Sequence, residues 1–428
     1  MGGGGGGRGG GGGGGEGGGS GRSPDSVACG PGARSSSSSS PSRTDDDYDD
    51  DDDDDDILLR RRRLDGLSLD DPASCVAKVT PERIYGIACH PSPDSVIVCA
   101  GDKAGHLGIW NAGDGTSKDD DDDDGAAAAR HHLFKVHGGA ISTLAWNGRG
   151  TSLLSSSYDG SVRLFDVERG EAFEEVFATY DDDERYKDRL GYGTDGGYKS
   201  WIQSMEIDNR SDGGRCFFLS TSEGGVMHVD LRSRGRLTFD RVLSERKINT
   251  VSLHPDGNVL ATAGLTGVVQ LWDARKIPTM TSKEKPKPLS WQEAGRSINS
   301  AFFSPSGRRL LTTTQSNKLD ILEDAHLAKG LIGKPKSSVR HDNQTGRWLS
   351  TFMARWHPSS SSSDREIFVV GSMRQPRCIE VFDHDGELLR EIRGDALTAV
   401  ASRCCFHPDP NRLIVVGGNS SGRVTIAR

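Results

Sequence analysis

Ile248-Asn-Thr-Val-Ser-Leu253, His254-Pro-Asp-Gly257, Val259-Leu-Ala-Thr-Ala-Gly264 and Val268-Val-Gln-Leu-Trp-Asp273 form the stretch whose reading decides the fold. Three short apolar runs, parted by a Pro-marked turn and a small-polar turn, read as three successive antiparallel strands. The same unit stands earlier as Ile141 to Trp146, Ser152 to Ser157, the turn Tyr158-Asp159-Gly160, and Ser161 to Asp166. From about residue 75 onward it recurs throughout the chain.

Aligned on the end of the third strand, the units fall at Trp110, Phe165, Val229, Trp272, Leu322, Phe382 and Ala427, at intervals of 43 to 64 residues. Propeller repeats of the WD kind run about 40–45 residues, so the longer intervals imply insertions. Polar and charged stretches supply them: Asp114 to His132, Asp181 to Lys199, Pro278 to Trp291, His326 to Val339, and Ser359 to Ser363. The fold predicted is all-β, a seven-bladed WD-repeat β-propeller. The last unit stops at Arg428, directly after its third strand. Ser74 to Val79 (Ser-Cys-Val-Ala-Lys-Val), the short apolar segment before the first unit, is expected to supply the missing outer strand and close the ring.

Upstream the composition changes. Met1 to Ser42 is mostly Gly and Ser, and eleven Asp, broken by Tyr48, fill Asp45 to Asp56. Such a stretch cannot bury enough apolar surface to offset its ordering entropy. A disordered head over 1–73 and a propeller over 74–428 are therefore expected. The net charge of −9 largely reflects the Asp tracts. Without residues 1–74 and Asp119 to Asp124, 45 bases face 40 acids, a mildly basic remainder that permits a nucleic-acid partner without requiring one.

Cys29, Cys75, Cys89, Cys99, Cys216, Cys378, Cys404 and Cys405 show no CxxC spacing and read as reduced thiols of an intracellular protein. No apolar signal core or membrane-length run is present, so no membrane association is expected. Arg60 to Arg63 reads equally as a nuclear-import patch or a solvated charge block.

Enzyme signatures are absent: no Walker loop, no GxGxxG between strand and helix, no HExxH and no GxSxG. No catalysis, cofactor or metal is expected. His90, His254, His357 and His407 each precede Pro and read as turn residues; His131-His132 beside the Asp run reads as a polar insertion rather than a metal site. Surface recognition remains. Loops before the first strand of each blade and loops between its second and third strands converge on one face. The first set carries Arg83, Lys199 with Trp201, Arg246, Lys247, Arg296, and the stretch Arg340, His341, Asp342, Asn343, Gln344, Thr345, Gly346, Arg347, Trp348. The second carries Lys103, Tyr158, Lys318, Arg374 and Arg377, while the acids are Glu82, Asp102, Asp159, Glu223, Glu245, Asp342 and Asp395. A basic ring with aromatics in it suits a phosphate backbone. Trp348, in a polar loop, reads either as a wedge for a kinked duplex or as a residue packed under the next blade.

Several segments at these loops carry a likeness: Lys78-Val-Thr-Pro-Glu-Arg-Ile-Tyr85, Gly101-Asp-Lys103, Ser155-Ser-Ser-Tyr-Asp-Gly160, Lys247-Ile-Asn-Thr250, His341-Asp-Asn-Gln-Thr-Gly-Arg-Trp-Leu349, Val369-Val-Gly-Ser-Met373 with Pro376-Arg377, and Gly417-Gly-Asn-Ser-Ser-Gly-Arg-Val424. Together they resemble the DNA damage-binding WD-repeat family typified by the yeast "changed mutation rate" protein, related to the small subunit of the UV-damaged-DNA-binding complex. The resemblance implies a nuclear, chromatin-associated protein that binds DNA and chromatin proteins, with preference for damaged duplex. It also places Gly346, Arg347 and Trp348 where the UV-damage relative inserts a hairpin, with Gly346 departing from the bulky residue expected there. Trp272-Asp273-Ala274-Arg275, and Asp230 with Arg232 as a weaker copy, resemble boxes by which WD proteins dock on the adaptor of a cullin-type ubiquitin ligase. A scaffold or ligase substrate receptor without direct DNA contact is the alternative reading.

Overall fold

The computed structural model describes residues 2, 61–69, 75–113, 131–170, 173–179, 200–208, 210, 214–233, 237–279, 286–358 and 365–428. Seven sheets follow one another along the chain. Blades 1 to 6 occupy 84–135, 141–178, 202–242, 248–293, 298–340 and 355–392; blade 7 takes 401–427 and borrows its outer strand from Val76–Lys78.

That borrowed strand is the one expected from the sequence. Val76 pairs with Thr425, Ala77 with Val424 and Lys78 with Arg423. The amides of Val79 and Thr80 both reach the Gly422 carbonyl, at 2.9 and 3.1 Å. Blade 7 thereby gains a fourth strand, and its exposed ladder is covered from within the chain.

Packing extends further upstream than composition suggests. Residues 61–66 are helical. Leu64, Leu67 and Leu69 are buried in one cluster with Cys75, Ile379, Val381, Val415 and Ala427, between blades 6 and 7. Arg390 Nη2 donates to the Leu67 carbonyl at 3.2 Å, and the Ser68 amide to the Arg428 carbonyl at 3.3 Å. The expected head thus includes, within 61–69, three leucines that dock on the ring. Of the rest of the head, only Gly2 lies within the described residues.

Six blades begin alike. The ladder slips by one residue just after Ile84, Ile141, Ile202, Ile248, Ile298 or Ala401. Each of these residues is almost wholly buried. A bulge adds twist and re-aims the strand entry, so the residue before it is delivered to the channel mouth at one end of the ring. At the other end the His-Pro turns tie blade to blade. His90 Nε2 bonds the Gly150 carbonyl of blade 2 at 2.9 Å, and His254 Nε2 bonds the Gly307 carbonyl of blade 5 at 3.1 Å. Both glycines have φ near +75°, and a Cβ on either would sit under 3 Å from the imidazole, so a larger residue would strain the backbone and displace the histidine. These two histidines are structural, as the turns imply.

The insertions are shorter than the sequence suggests. His131 and His132 lie in the outer strand of blade 1 (His131–Lys135), and Trp291 lies in that of blade 4 (Ser290–Glu293). Within the fourth insertion, Gly330–Leu331 pairs in parallel with Ser290 and Trp291 as a fifth strand of blade 4; Ser337–Arg340 then forms the outer strand of blade 5. The Asp181 to Lys199 insertion and Asp119 to Asp124 fall outside the described residues.

One ion pair is buried between blades. Arg309 Nη1 of blade 5 meets Glu366 Oε2 of blade 6 at 3.0 Å, with both side chains 1% exposed. Glu366 also accepts the Ser306 amide at 2.9 Å. Removing one partner strands the other charge in a low-dielectric setting, which costs about 3–5 kcal/mol. Glu366→Ala is accordingly expected to lower unfolding free energy in urea by that amount, and a loss below about 1 kcal/mol would show the pair to be dispensable.

Candidate nucleic-acid interface

Between blades 5 and 6 the chain makes a detour. It leaves Ser337–Arg340 and is first fastened to blade 5: the Asn343 side chain donates to the carbonyls of Thr314 (2.8 Å) and Lys318 (3.2 Å), and Gln344 Nε2 donates to the Gln315 carbonyl at 2.8 Å. It is next fastened to blade 1, three steps around the ring. Arg83 Nη1 donates to the Arg347 carbonyl at 2.6 Å, and Ser350 Oγ to the Ile84 carbonyl at 2.5 Å. The Ala354 amide then bonds Thr313 Oγ1 at 3.0 Å, back beside blade 5. The segment 341–350 is therefore a strap across the mouth of the central channel.

Trp348 stands at the top of the strap, 74% exposed. The Arg347 guanidinium lies over its ring at 4.9 Å from the centroid. Residues 346–348 form a turn with no strand partner, so the insertion element implied by the resemblance is a tight turn here rather than a hairpin. Gly346 has φ +60°, which explains the departure from a bulky residue at that place. From Arg83 a chain of contacts continues along the rim. Arg83 Nη2 bonds Tyr85 OH at 2.8 Å, Tyr85 meets Tyr158 edge-on at 6.0 Å, and Tyr158 stacks on Trp201 at 5.6 Å with an interplanar angle of 9°. Trp201 is 50% exposed. A row of two arginines and then three aromatics thus runs from the strap, through blade 1, to blades 2 and 3.

The other predicted contacts divide. Lys103, Arg246, Arg296, Lys318, Arg340 and Arg347 are exposed, while Arg83, Lys247 and Arg377 are half-buried. Burial pushes the Lys247 ammonium below its ordinary value. Among the described residues none of these nine has a carboxylate at ion-pair distance. Lys103 is drawn to Arg83 by its amide, which donates to the Arg83 carbonyl at 2.9 Å. Arg374 differs: it pairs with Glu391 at 2.9 Å and Glu380 at 3.4 Å, so its charge is answered internally. His341 is a correction. It is 4% exposed, its Nδ1 bonded to Asn343 Oδ1 at 2.7 Å and its Nε2 facing Glu380 at 3.5 Å, so it is an internal anchor of the strap rather than an exposed phosphate contact. Lys199 lies outside the described residues.

Two of the seven acids counted against the basic ring are also inward. Asp102 is fully buried and takes the amides of Glu82, Ala104 and His106. Asp159 holds His137 and Ser161; despite burial, these bonds keep its carboxyl well below the usual range. Sequence reasoning missed Lys135 and Arg423, which stand exposed at the same end of blades 1 and 7, because only the inner loops were considered.

The family model for the WD domain, G-beta repeat, matches residues 129–166 and 239–273, the stretches that contain most of blade 2 and much of blade 4. WD repeat-containing protein 76 of Xenopus laevis is 35% identical over 356 residues, covering 82% of this chain and 54% of that protein. The mouse protein of the same name is 32% identical, covering 85% and 51%. DNA damage-binding protein CMR1 of Chaetomium globosum is 29% identical over 381 residues, covering 85% and 68%. The chain belongs to the WD-repeat family of these proteins. It spans about half the length of the two vertebrate relatives.

Opposite the strap lie the third-strand ends of this family member. Trp272 is almost wholly buried, its Nε1 donating to Thr262 Oγ1 at 2.9 Å, so it belongs to the blade core and not to a docking surface. Asp273 fixes Arg275 at 2.9 Å, and Asp230 fixes Arg232 at 2.9 Å. The two guanidiniums stay largely exposed, held in defined orientations on neighbouring blades 3 and 4.

Asn343 is the strap's main bond to blade 5. Its replacement by Leu removes both bonds; the Thr314 carbonyl keeps the Asn317 amide and the Lys318 carbonyl keeps Thr314 Oγ1, so the loss is that of two ordinary hydrogen bonds, about 0.5–1.5 kcal/mol each. The folded Asn343→Leu variant is expected to be cut by trypsin after Arg347 about tenfold faster or more than the wild type, since cleavage tracks the open population. An unchanged cleavage rate would mean that the strap is held elsewhere.

Proposed function

We propose that this WD-repeat propeller is a nuclear binding platform, not a catalyst, that grips duplex DNA on its strapped face and prefers damaged duplex. The observation that carries the reading is Trp348. A tryptophan buries some 150–250 Å² when covered. Leaving most of it in water forgoes roughly 3 kcal/mol at about 25 cal/mol per Å². Here it projects from an anchored strap beside cations that, among the described residues, have no carboxylate at ion-pair distance (Arg347, Arg83, Lys103). Phosphate contacts by such cations give affinity and register, while an apolar wedge is accommodated where a duplex is already unstacked or kinked. The fungal relatives carry the printed name DNA damage-binding protein, which supports the same reading.

The binding residues proposed are Arg83, Lys103, Lys199, Arg246, Lys247, Arg296, Lys318, Arg340, Arg347, Trp348 and Arg377, with Trp201 and Tyr158 added from the aromatic row. Arg347→Gln and Lys103→Gln should weaken all duplexes alike and each lower the slope of log affinity against log salt by about 0.9. Trp348→Ala should weaken UV-irradiated duplex by about tenfold, as loss of one stacking contact implies, with plain duplex nearly unaffected. Gel shifts over a salt series read both effects. Equal loss on the two duplexes would remove the wedge, and no retardation of either would remove the DNA reading.

A second reading is favoured by one observation: Arg232 and Arg275 are exposed yet pre-oriented on adjacent blades at the end away from the strap. We infer that this end docks a protein partner, the adaptor of a cullin-type ubiquitin ligase, while the strapped face holds chromatin. Purified adaptor should be retained by the wild type and lost with Arg275→Ala; equal retention would exclude the box.

A further inference from the structure

The central channel contains a charge that the fold does not answer. Arg403, in the first strand of blade 7 (Ala401–Phe406), is 8% exposed. Its Nε has no hydrogen-bond partner, and among the described residues its guanidinium has no ion pair. Burial pushes it down to about 10, well above neutrality, so it stays charged at pH 7. Gln203 of blade 3, also buried, has an Nε2 without an acceptor. Both side chains line a cavity of about 850 Å³. Tyr85 belongs to the same lining.

The cavity's lining continues to Pro91, Gly148, Arg149, Arg210 and Pro358, turn residues at the end away from the strap. Arg347 to Ser350 are not part of that lining. The cavity therefore reaches the His-Pro end and runs inward as far as Tyr85 beneath the strap, with Arg403 and Gln203 toward its inner end. Part-way along stand Arg355 and Glu206. Burial lifts the Glu206 carboxyl to about 7, with Arg355 holding it down, so near neutrality it is only partly ionised. One partly ionised carboxyl facing two guanidiniums leaves Arg403 over.

We infer that the central channel of this propeller is a receptor for an acidic peptide segment, one of whose carboxylates reaches Arg403 and Gln203 from the face opposite the strap. A guanidinium is a planar fork that fits a carboxylate at two points, and a buried amide adds a third donor. One negative charge balances one guanidinium. A duplex is too wide to enter, so this site does not rest on the DNA reading.

Titration of the full chain with fluorescein-labelled tetraglutamate tests the site, with tetralysine, a phosphoserine tetrapeptide, inorganic phosphate and plain duplex as separate arms. Tetraglutamate should saturate the wild type, bind Arg403→Gln at least about tenfold more weakly, and regain part of the loss in Arg403→Lys, as expected of a buried charged contact. Gln203→Leu, which keeps the charge, should weaken it less, and duplex affinity should hold within about twofold in all three variants. Without ligand, Arg403→Gln should melt no lower than the wild type, because an unanswered buried charge has been removed; a lower melting point would assign Arg403 to internal structure and overturn the inference. So would equal binding by wild type and Arg403→Gln, or loss of tetraglutamate binding through Lys103→Gln on the strapped face. Tighter binding of the phosphoserine peptide or of phosphate alone would refute the carboxylate assignment.

Discussion

A propeller is a sheet stack bent into a circle, and its stability rests on the circle being shut. Here the seam is three residue pairs long, Val76 to Thr425, Ala77 to Val424 and Lys78 to Arg423. The Val79 and Thr80 amides then bring the chain from the outer edge of blade 7 toward blade 1. Val79, Ile84, Val98, Val416 and Val424 pack as one cluster across this join, so hydrogen bonding and apolar burial close the ring together. Every inner strand faces the channel only because that join holds the seven blades at one radius. Leu64, Leu67 and Leu69 add a patch over the neighbouring seam, between blades 6 and 7.

Given a closed ring, the two ends become different through local chemistry. At one end a bulge after a buried Ile or Ala presents the preceding residue to the mouth, and the strap from blade 5 to blade 1 covers it with an outward tryptophan and unpaired cations. At the other, histidine and glycine couple blade to blade, and Asp-Arg pairs hold guanidiniums at the rim. Charge follows the same division. Acids that a count would set against the basic loops are consumed in turns, as with Asp102 and Asp159, while Arg374 is consumed by Glu391 and Glu380.

The parts of this arrangement legible in the sequence are those fixed by local pattern. Ser-Cys-Val-Ala-Lys-Val was identifiable as a strand because it is apolar and the last unit lacked one. Trp348 stood out because everything around it is polar, and the strap's bonds keep it outward. What eluded the sequence depends on partners far away in the chain. His341 looks solvated between Arg340 and Asp342, yet Asn343 and the distant Glu380 draw it inside. Arg403 sits in a strand of buried residues and gives no local hint that its charge lacks a partner. Residues 61–69 follow an Arg run and an Asp tract, and that composition masks three leucines spaced to dock. His131 and Trp291 were assigned to loops because polar insertions beside them blurred where the outer strands begin.

The seam also sets an order in time. Its two edges, at Ala77 and Val424, are 347 residues apart in the chain. At about 5–20 residues per second, a ribosome needs roughly 17–70 s between making the one and making the other. Throughout that interval the first edge has no partner, and blades 1 to 6 are made while the ring is still an open arc. The contact on which the finished toroid depends has to wait for the last strand of blade 7.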